Sequence, residues 1–148
     1  MADVNDQIRK ATEISTLFDT MATTIFQKVK EERAAGKISF ETYNQIAGNY
    51  YLPLMNYATK IHLDTENALT EDMAKELDKI SRATQELNEV SSKVKRMESA
   101  FQAITSILAS AAAVVSFVAA PSPMTAAAAI SSMAGARSSI EGLVAAEK

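Results

Sequence analysis

One stretch of the sequence decides how this chain has to fold: SAFQAITSILASAAAVVSFVAAPSPMTAAAAISSMAGA, residues 99–136. It contains no Asp, Glu, Lys, Arg or His, and alanine with serine or threonine fills the positions between its bulky apolar residues. A surface of this kind is not stable in water over its whole area. We therefore expect it to be buried by the rest of its own fold, by another protein or by lipid.

The periodicity of this stretch predicts a helical hairpin. Its apolar residues recur at spacings of three and four up to Val118, which is the pattern of one helix face. Pro121 and Pro123 then force a corner, because each lacks a backbone N–H and biases the preceding residue away from the helical conformation. A further helix follows over residues 125–146. The tip of this hairpin, around the two prolines, is its least polar part.

Two sets of hairpin residues are the candidates for function. Bulky apolar side chains would contact a membrane or another subunit. They are Phe101, Ile104, Ile107, Leu108, Val114, Val115, Phe117, Val118, Pro121, Pro123, Met124, Ile130 and Met133. Small residues at four-residue spacing would let the two arms pack closely. They are Ala112, Ser116 and Ala120 on the first arm, and Ala127, Ser131 and Gly135 on the second.

The chain before the hairpin predicts an antiparallel pair of amphipathic helices. The first, over residues 3–35, carries apolar residues at helical spacing and stops at Gly36, which can adopt the left-handed C′ conformation. Ser39 is a good N-cap for the second helix. Pro53 removes a hydrogen-bond donor within that helix and predicts a kink near residues 48–53. Four tyrosines at positions 43, 50, 51 and 57 predict aromatic packing, with a ligand pocket or an interfacial anchoring patch as the alternative.

Two features of the middle of the chain leave alternatives. Residues 62–70 are rich in Asp, Thr and Asn and predict a second reversal with Thr70 as the next N-cap, whereas one bent helix could continue straight through. A continuous helix over residues 70–120 would then be about 75 Å long. Such a helix either extends from a short bundle as a stalk or breaks, near Ser91 and Ser92 or at Ser99.

The composition favours an all-α fold. Only four glycines and three prolines punctuate 148 residues, and alanine is abundant. We expect an elongated helical bundle or coiled coil of about four helices that ends in the uncharged hairpin. The chain would form a single domain over residues 1–148, with an amphipathic helical body over 1–98 and the Ala/Ser-rich hairpin over 99–148.

The charges and the cysteine count exclude several classes of function. The net charge is −3, and lysine and arginine do not cluster on one segment, so we expect no nucleic-acid partner. The absence of cysteine rules out a disulfide scaffold, a thiol nucleophile and a thiolate metal site, and it fits cytosol and export equally. The first residues lack a basic region followed by an apolar run, so we expect no cleavable signal peptide.

The sequence shows no pattern that catalysis requires. His62 is the single histidine, and Glu66 alone shares its helix face at i,i+4, which is too few ligands for a metal site. There is no phosphate-cradling glycine loop, nucleophile elbow or dinucleotide fingerprint. We therefore expect no enzyme activity, no cofactor, and no catalytic or metal-binding residue.

Three interpretations of the hairpin follow. In the first it is a membrane-active element, since residues 103–120 provide about eighteen uncharged positions, at the lower edge of the length that spans hydrocarbon. In the second, copies of the chain or another helical protein bury its arms. In the third, all helices form one monomeric bundle and the stretch is its core.

A helical body with an uncharged hairpin resembles, in plan, α-helical pore-forming toxins and secretion-system translocators. The resemblance involves no shared motif and therefore assigns no residue. It implies a non-enzymatic protein whose hairpin interacts with a membrane, inserts into it and oligomerises. The alternative is a soluble, self-assembling structural or partner-binding coiled-coil scaffold subunit. We expect a homo-oligomer or a helical protein partner, with a lipid membrane as a further candidate.

Overall fold

The structure is a computed structural model and describes residues 4–64 and 73–147. Its helices are α1 (Val4–Ala34), α2 (Phe40–Ile46), α3 (Leu52–Asp64), α4 (Ala74–Ser91), α5 (Met97–Ala119) and α6 (Pro123–Ala146). A π-helical turn, Ala47–Tyr51, joins α2 to α3 without a break, so that these two form one rod, the α2–α3 rod. There is no β-strand in the described ranges. The predicted all-α class is confirmed.

The first reversal of the chain follows its local sequence. Gly36 has a φ of +73°, the left-handed conformation that a helix stop needs. The Ser39 hydroxyl accepts a hydrogen bond from the Thr42 backbone N–H at 3.0 Å and so caps α2. Both predictions are confirmed.

The kink predicted near Pro53 takes the form of the π-helical turn. The Leu52 N–H donates to the Ala47 carbonyl, five residues back rather than four. Because Pro53 has no N–H, the regular series of α-helical hydrogen bonds would be interrupted at this position even without the π turn. The turn inserts one extra residue into the rod and changes which residues face the core.

The long third helix of the sequence-based prediction breaks between α4 and α5. α4 ends at Ser91, and α5 starts at Met97 after the connection 92–96. Val94 in this connection is 1% exposed, so the chain turns inward here rather than continuing as a stalk. The break near Ser91 and Ser92 is confirmed, and the stalk alternative is wrong. The helix count is accordingly higher than the expected four.

Contacts between helices fix their directions. Lys10 of α1 pairs with Asp78 of α4 at 3.0 Å, and both residues lie in the early turns of their helices, so α1 and α4 are parallel. The Ser15 hydroxyl of α1 donates to the Ala58 carbonyl of α3 at 2.7 Å, whereas Phe26, further along α1, stacks on Tyr51, which precedes α3, so α3 is antiparallel to α1. The chain therefore reverses between α3 and α4, as predicted; Thr70, the predicted cap, lies outside the described residues.

The hairpin is part of the core of the bundle. α5 packs against α3 and α1, α6 packs against α4, and the two arms pack against each other. The largest fully buried side chains come from the body and from α5 alike. They are Phe18, Phe117, Ile14, Met21, Ile25, Leu54, Ile61, Leu77, Ile80, Leu87, Ile104 and Ile107. With the long helix divided, the helices have lengths that one bundle accommodates.

Candidate functional site: the uncharged hairpin

The bulky residues of the hairpin divide between the core and the surface. Six of them are buried: Ile104, Ile107, Val114, Phe117, Val118 and Met133. Four are partly exposed: Leu108, Val115, Pro121 and Ile130. Three are exposed: Phe101, Pro123 and Met124, the last with 80% of its surface accessible. Leu108, Val115 and Ile130 also pack against the core, so nine of the thirteen predicted contact residues contact the interior of the folded bundle.

The predicted small-residue set lies mostly on the outside of the hairpin. Ala112 is partly exposed, and Ser116, Ala120, Ala127, Ser131 and Gly135 are exposed. The two arms pack against each other through a different face. On that face the Ser110 hydroxyl, which bonds the Ser106 carbonyl of its own helix at 3.1 Å, also reaches the Ser132 carbonyl of α6 at 3.4 Å.

The outer surface of the hairpin carries no charge over most of its length. We define the uncharged outer face as the exposed residues of α5 and α6 between Glu98 and Arg137. They are Phe101, Gln102, Thr105, Ala109, Ser116, Ala119, Pro123, Met124, Ala127, Ala128, Ser131, Ala134 and Gly135. Surfaces of soluble domains normally intersperse charges of both signs. The hairpin is thus uncharged on the side that faces water as well as on the side that faces the core.

The hydroxyl groups of α5 are mostly satisfied by their own helix. Thr105 donates to the Phe101 carbonyl at 3.1 Å, and Ser116 donates to the Ala112 carbonyl at 3.2 Å. Ser110 likewise donates to the carbonyl of Ser106, at 3.1 Å. Such back-bonding satisfies the hydroxyl donor without a partner from outside the helix. The polarity of α5 is therefore lower than its serine and threonine content indicates.

Both ends of the hairpin are closed by specific contacts. At the corner, the Ser122 hydroxyl accepts from the Thr125 N–H at 3.1 Å, and the Thr125 hydroxyl accepts from the Ser122 N–H at 3.1 Å. At the open end, the Glu147 carboxylate accepts from the backbone N–H groups of Lys95, at 3.0 Å, and Arg96. Arg96 is the N-cap of α5 and makes no capping bond through its own side chain. Glu147 therefore serves as the cap of α5 from the far end of α6.

Polar links also connect the hairpin to the body. Arg137 of α6 bridges Glu86 of α4 at 2.9 Å and Glu141 of its own helix at 2.8 Å, with all three side chains about half exposed. Below this network, the Thr84 hydroxyl contacts the Met133 sulfur at 3.3 Å. Exposed ion pairs of this kind contribute at most about 1 kcal/mol. The hairpin is held in the bundle chiefly by apolar contact.

The aromatic residues near the start of α5 form a packed cluster. The Tyr51 ring stacks on Phe26 with centroids 4.3 Å apart, and the Tyr43 ring lies 5.3 Å from Phe26. Tyr50 meets Phe101 of α5 edge-on at 4.9 Å. These contacts agree with the packing prediction. His62 is exposed near the end of α3, and within residues 4–64 and 73–147 no three His, Asp or Glu side chains come together as a metal site would require.

The chain matches no protein-family model, and neither the curated proteins nor the solved structures searched give a significant match.

Proposed function

We propose that this protein is a non-enzymatic, membrane-interacting helical bundle whose α5–α6 hairpin moves from the bundle into a lipid bilayer. The observation that carries the proposal is the uncharged outer face. The segment Glu98–Ala119 is long and apolar enough to cross a bilayer by length and composition, and only 44% of its 18-residue apolar window is buried. A helix that merely fills the core of a soluble bundle normally has charged residues on its exposed side.

The free-energy terms for moving the hairpin from the bundle into a bilayer favour insertion that takes place only under particular conditions. The seven bulky apolar residues from Ile104 to Val118 contribute about −2 to −4 kcal/mol on an insertion scale. Alanine is close to neutral, and hydroxyls that bond back to their own helix add less penalty than free hydroxyls. The hairpin must also give up its contacts with α1, α3 and α4, which bury Ile104, Ile107 and Phe117. Bilayer contact therefore has to replace burial that the bundle already provides.

Oligomerisation belongs to the same proposal. Once the hairpin leaves the bundle, its core-facing apolar stripe meets lipid, and its small residues, already exposed in the bundle, can contact hairpins of other copies. Ala127, Ser131 and Gly135 are exposed at four-residue spacing, and a Cβ added at Gly135 would meet no atom within 4 Å. Small residues at this spacing allow helices to approach closely in membranes.

The second candidate is a soluble self-assembling or partner-binding scaffold subunit. The same exposed small residues favour it, since close packing of alanine-rich helices also occurs in water. A defined oligomer in buffer without lipid, combined with no binding to vesicles, would establish this alternative over membrane insertion.

Flotation with liposomes after an alkaline carbonate wash, which removes protein bound only at the bilayer surface, tests the proposal. Ala109 is exposed in the middle of α5, so Ala109→Arg leaves the core of the bundle unchanged while placing a charge at the centre of the inserting arm. An arginine there costs about 2.5–3.5 kcal/mol in a bilayer, and we expect the variant to lose insertion. Gln85→Arg, at an exposed position of α4, is the matched control and should float like the wild type. Equal flotation of the two variants would contradict the proposal.

A further inference from the structure

The two arms of the hairpin are joined in a fixed register. At the open end, the Glu147 carboxylate accepts from the Lys95 and Arg96 amides. Midway along the hairpin, the Ser110 hydroxyl reaches the Ser132 carbonyl at 3.4 Å. Lys95 and Ser110 are fifteen residues apart in the chain, and their two partners are fifteen residues apart as well. Each position of α5 therefore has a position of α6 at the same height.

The corner adds a third contact between the arms. The Thr125 hydroxyl of α6 reaches the carbonyl of Ala120, at the end of α5, at 3.0 Å. α5 also packs more extensively against α6 than against any helix of the body. The ion pair that links Arg137 of α6 to Glu86 of α4 is about half exposed, and pairs of this kind are weak. We therefore expect the two arms to leave the body together, still paired.

The first charged residues lie at different distances from the corner on the two arms. On α5 the nearest is Glu98, in the first turn of the helix. On α6 it is Arg137, fourteen residues after Pro123, which is about 21 Å of helix. In the register of the hairpin Arg137 lies level with Thr105, because each is five residues further from the corner than the midway contact. A paired hairpin thus has about 21 Å in which neither arm carries a charge.

This uncharged length is shorter than the hydrocarbon core of a bilayer, which is about 30 Å thick. An arginine is costly to bury in hydrocarbon, and near the end of an inserted helix its side chain extends to the headgroups. When α6 leaves the body, Arg137 can exchange Glu86 for a lipid phosphate and keep Glu141, its partner on the same helix at 2.8 Å. α5 alone has no charge from Ser99 to Ala119, so the limit comes from its pairing with α6.

We infer that the paired hairpin enters the bilayer from one side, that Arg137 stays at the phosphates of the entry leaflet and sets the depth, and that the corner ends within the hydrocarbon. The inference rests on the proposed function and specifies how far insertion goes. Ala109 lies between the level of Arg137 and the corner, so it enters hydrocarbon. Lys95 and Glu147, at the open end, stay outside the bilayer.

Thiol labelling of the corner tests the depth of insertion. Met124 is 80% exposed in the bundle, so Met124→Cys introduces a single reactive thiol into a chain without cysteine. The variant is inserted into vesicles of phosphatidylcholine and phosphatidylglycerol and washed with alkaline carbonate. We expect position 124 to lose its reactivity towards a membrane-impermeant maleimide, whether the reagent is added outside or trapped in the lumen. Ala145→Cys, exposed near the open end, is the matched control and should stay reactive from outside.

Removal of the charges of α6 tests the role of Arg137. In the Met124→Cys background, Arg137→Leu with Glu141→Leu leaves both arms uncharged as far as Glu98, over about 32 Å. We expect the corner of this variant to cross the bilayer, so that the trapped maleimide labels position 124. Arg82→Leu with Glu89→Leu removes the same charges from exposed positions of α4, which stays in the body, and should leave position 124 unlabelled. A circular dichroism melt of each variant confirms that its fold is intact.

Four results would overturn the inference. If the trapped reagent labels position 124 in the Met124→Cys protein, the hairpin spans the bilayer, and the depth is wrong while insertion still stands. If the external reagent labels that position after the wash, the corner has not entered the bilayer. If the α6 double variant is not labelled from the lumen, Arg137 does not set the depth. If no protein remains with the vesicles after the wash, both the inference and the proposed function fail.

Discussion

Gly36 ends α1 through its backbone conformation and not through its contacts. Its φ of +73° disfavours any side chain, although a Cβ there would meet no atom within 4 Å. We expect Gly36→Ala to lower the free energy of unfolding in urea by about 1–2 kcal/mol. Gly135→Ala, in the interior of α6 with equally open surroundings, should instead raise it by about 0.5–1 kcal/mol. Equal effects of the two substitutions would show that the left-handed conformation is not what matters.

Glu147 caps a helix that is distant from it in the sequence. Its carboxylate lies at the positive end of α5 and accepts from the Lys95 and Arg96 amides. We expect Glu147→Ala to destabilise the protein by about 1 kcal/mol. Amide hydrogen exchange should show faster exchange at Lys95 and Arg96, whereas Glu89→Ala, at an exposed position of α4, should leave both amides unaffected. Unchanged exchange in the Glu147 variant would contradict the capping role.

Gly36 and Glu147 show which roles of single residues can be predicted from the sequence and which cannot. Gly36 and Ser39 act on their immediate neighbours, so the local sequence was sufficient to predict both. Glu147 acts on amides about fifty positions earlier in the chain. No local pattern pairs the two ends of a hairpin, because that pairing depends on the lengths and packing of α5 and α6.

At the scale of elements, the π-helical turn explains which side of the α2–α3 rod is buried. Periodicity in the sequence assigns one set of residues to the core face: Phe40, Tyr43, Ala47, Tyr50, Leu54, Tyr57 or Ala58, and Ile61. In the structure Leu54, Ala58 and Ile61 are buried, whereas Ala47 and Tyr50 are only partly buried and Phe40 is 61% exposed. Ile46, which the pattern leaves out, is 4% exposed and is buried beside Phe26 and Val29. The extra residue of the π turn brings Ile46 and Leu54 to the same side. Pro53 predicted an irregularity in this rod, but it did not predict that one extra residue would change which side chains face the core.

The π turn leads to a prediction about deletions. In a Pro53→Ala background, where no proline ring clashes with the carbonyl four residues back, removing the exposed Asn49 restores regular α-helical spacing between Ile46 and Leu54 and keeps both in the core, so we expect a change of no more than about 1 kcal/mol relative to that background. Removing Gln85, equally exposed but within regular α4, rotates Leu87 and Val90 away from the core by about 100°. We expect that deletion to unfold the protein or to cost several kcal/mol. Thermal melts that rank the two deletions the other way would contradict this account of the turn.

The hairpin shows the same limit of sequence patterns. Four-residue spacing correctly identified small residues on both arms, but several four-residue stripes run along an alanine-rich helix. The face used between the arms holds Ser110 and Ser132, and the predicted stripes lie mostly on the outside. With alanine or serine on nearly every side of the helix, periodicity alone does not select one face.

For the molecule as a whole, the division of the long helix determines where the hairpin is buried. The chain turns inward at Val94, so α5 returns along α3 and α1 instead of extending as a stalk. The sequence predicted the helical class, both early reversals and the proline corner because these depend on local residues. It could not choose between a stalk and a break, because that depends on how well α5 fills the space between α1, α3 and α6.

Burial inside the bundle and membrane insertion are alternative environments for the same helix. α5 has an apolar stripe that the body covers and an outer side without charge. Moving residues 99–119 of α5 into lipid replaces protein contact with acyl chains and desolvates no charged side chain, because the one carboxylate of α5, Glu98, lies in its first turn. The central claim of the proposed function is therefore that Ala109 on the outer side of α5 enters hydrocarbon when the protein meets a bilayer.

A depth-resolved fluorescence measurement tests that claim most directly. The chain has no cysteine, so Ala109→Cys and Gln85→Cys each accept a single environment-sensitive fluorophore at an exposed site. With vesicles that carry a nitroxide quencher deep in the acyl chains, the account predicts a blue shift and strong quenching at position 109, and neither at position 85. An aqueous spectrum without quenching at position 109, in protein that is bound to the vesicles, would contradict it.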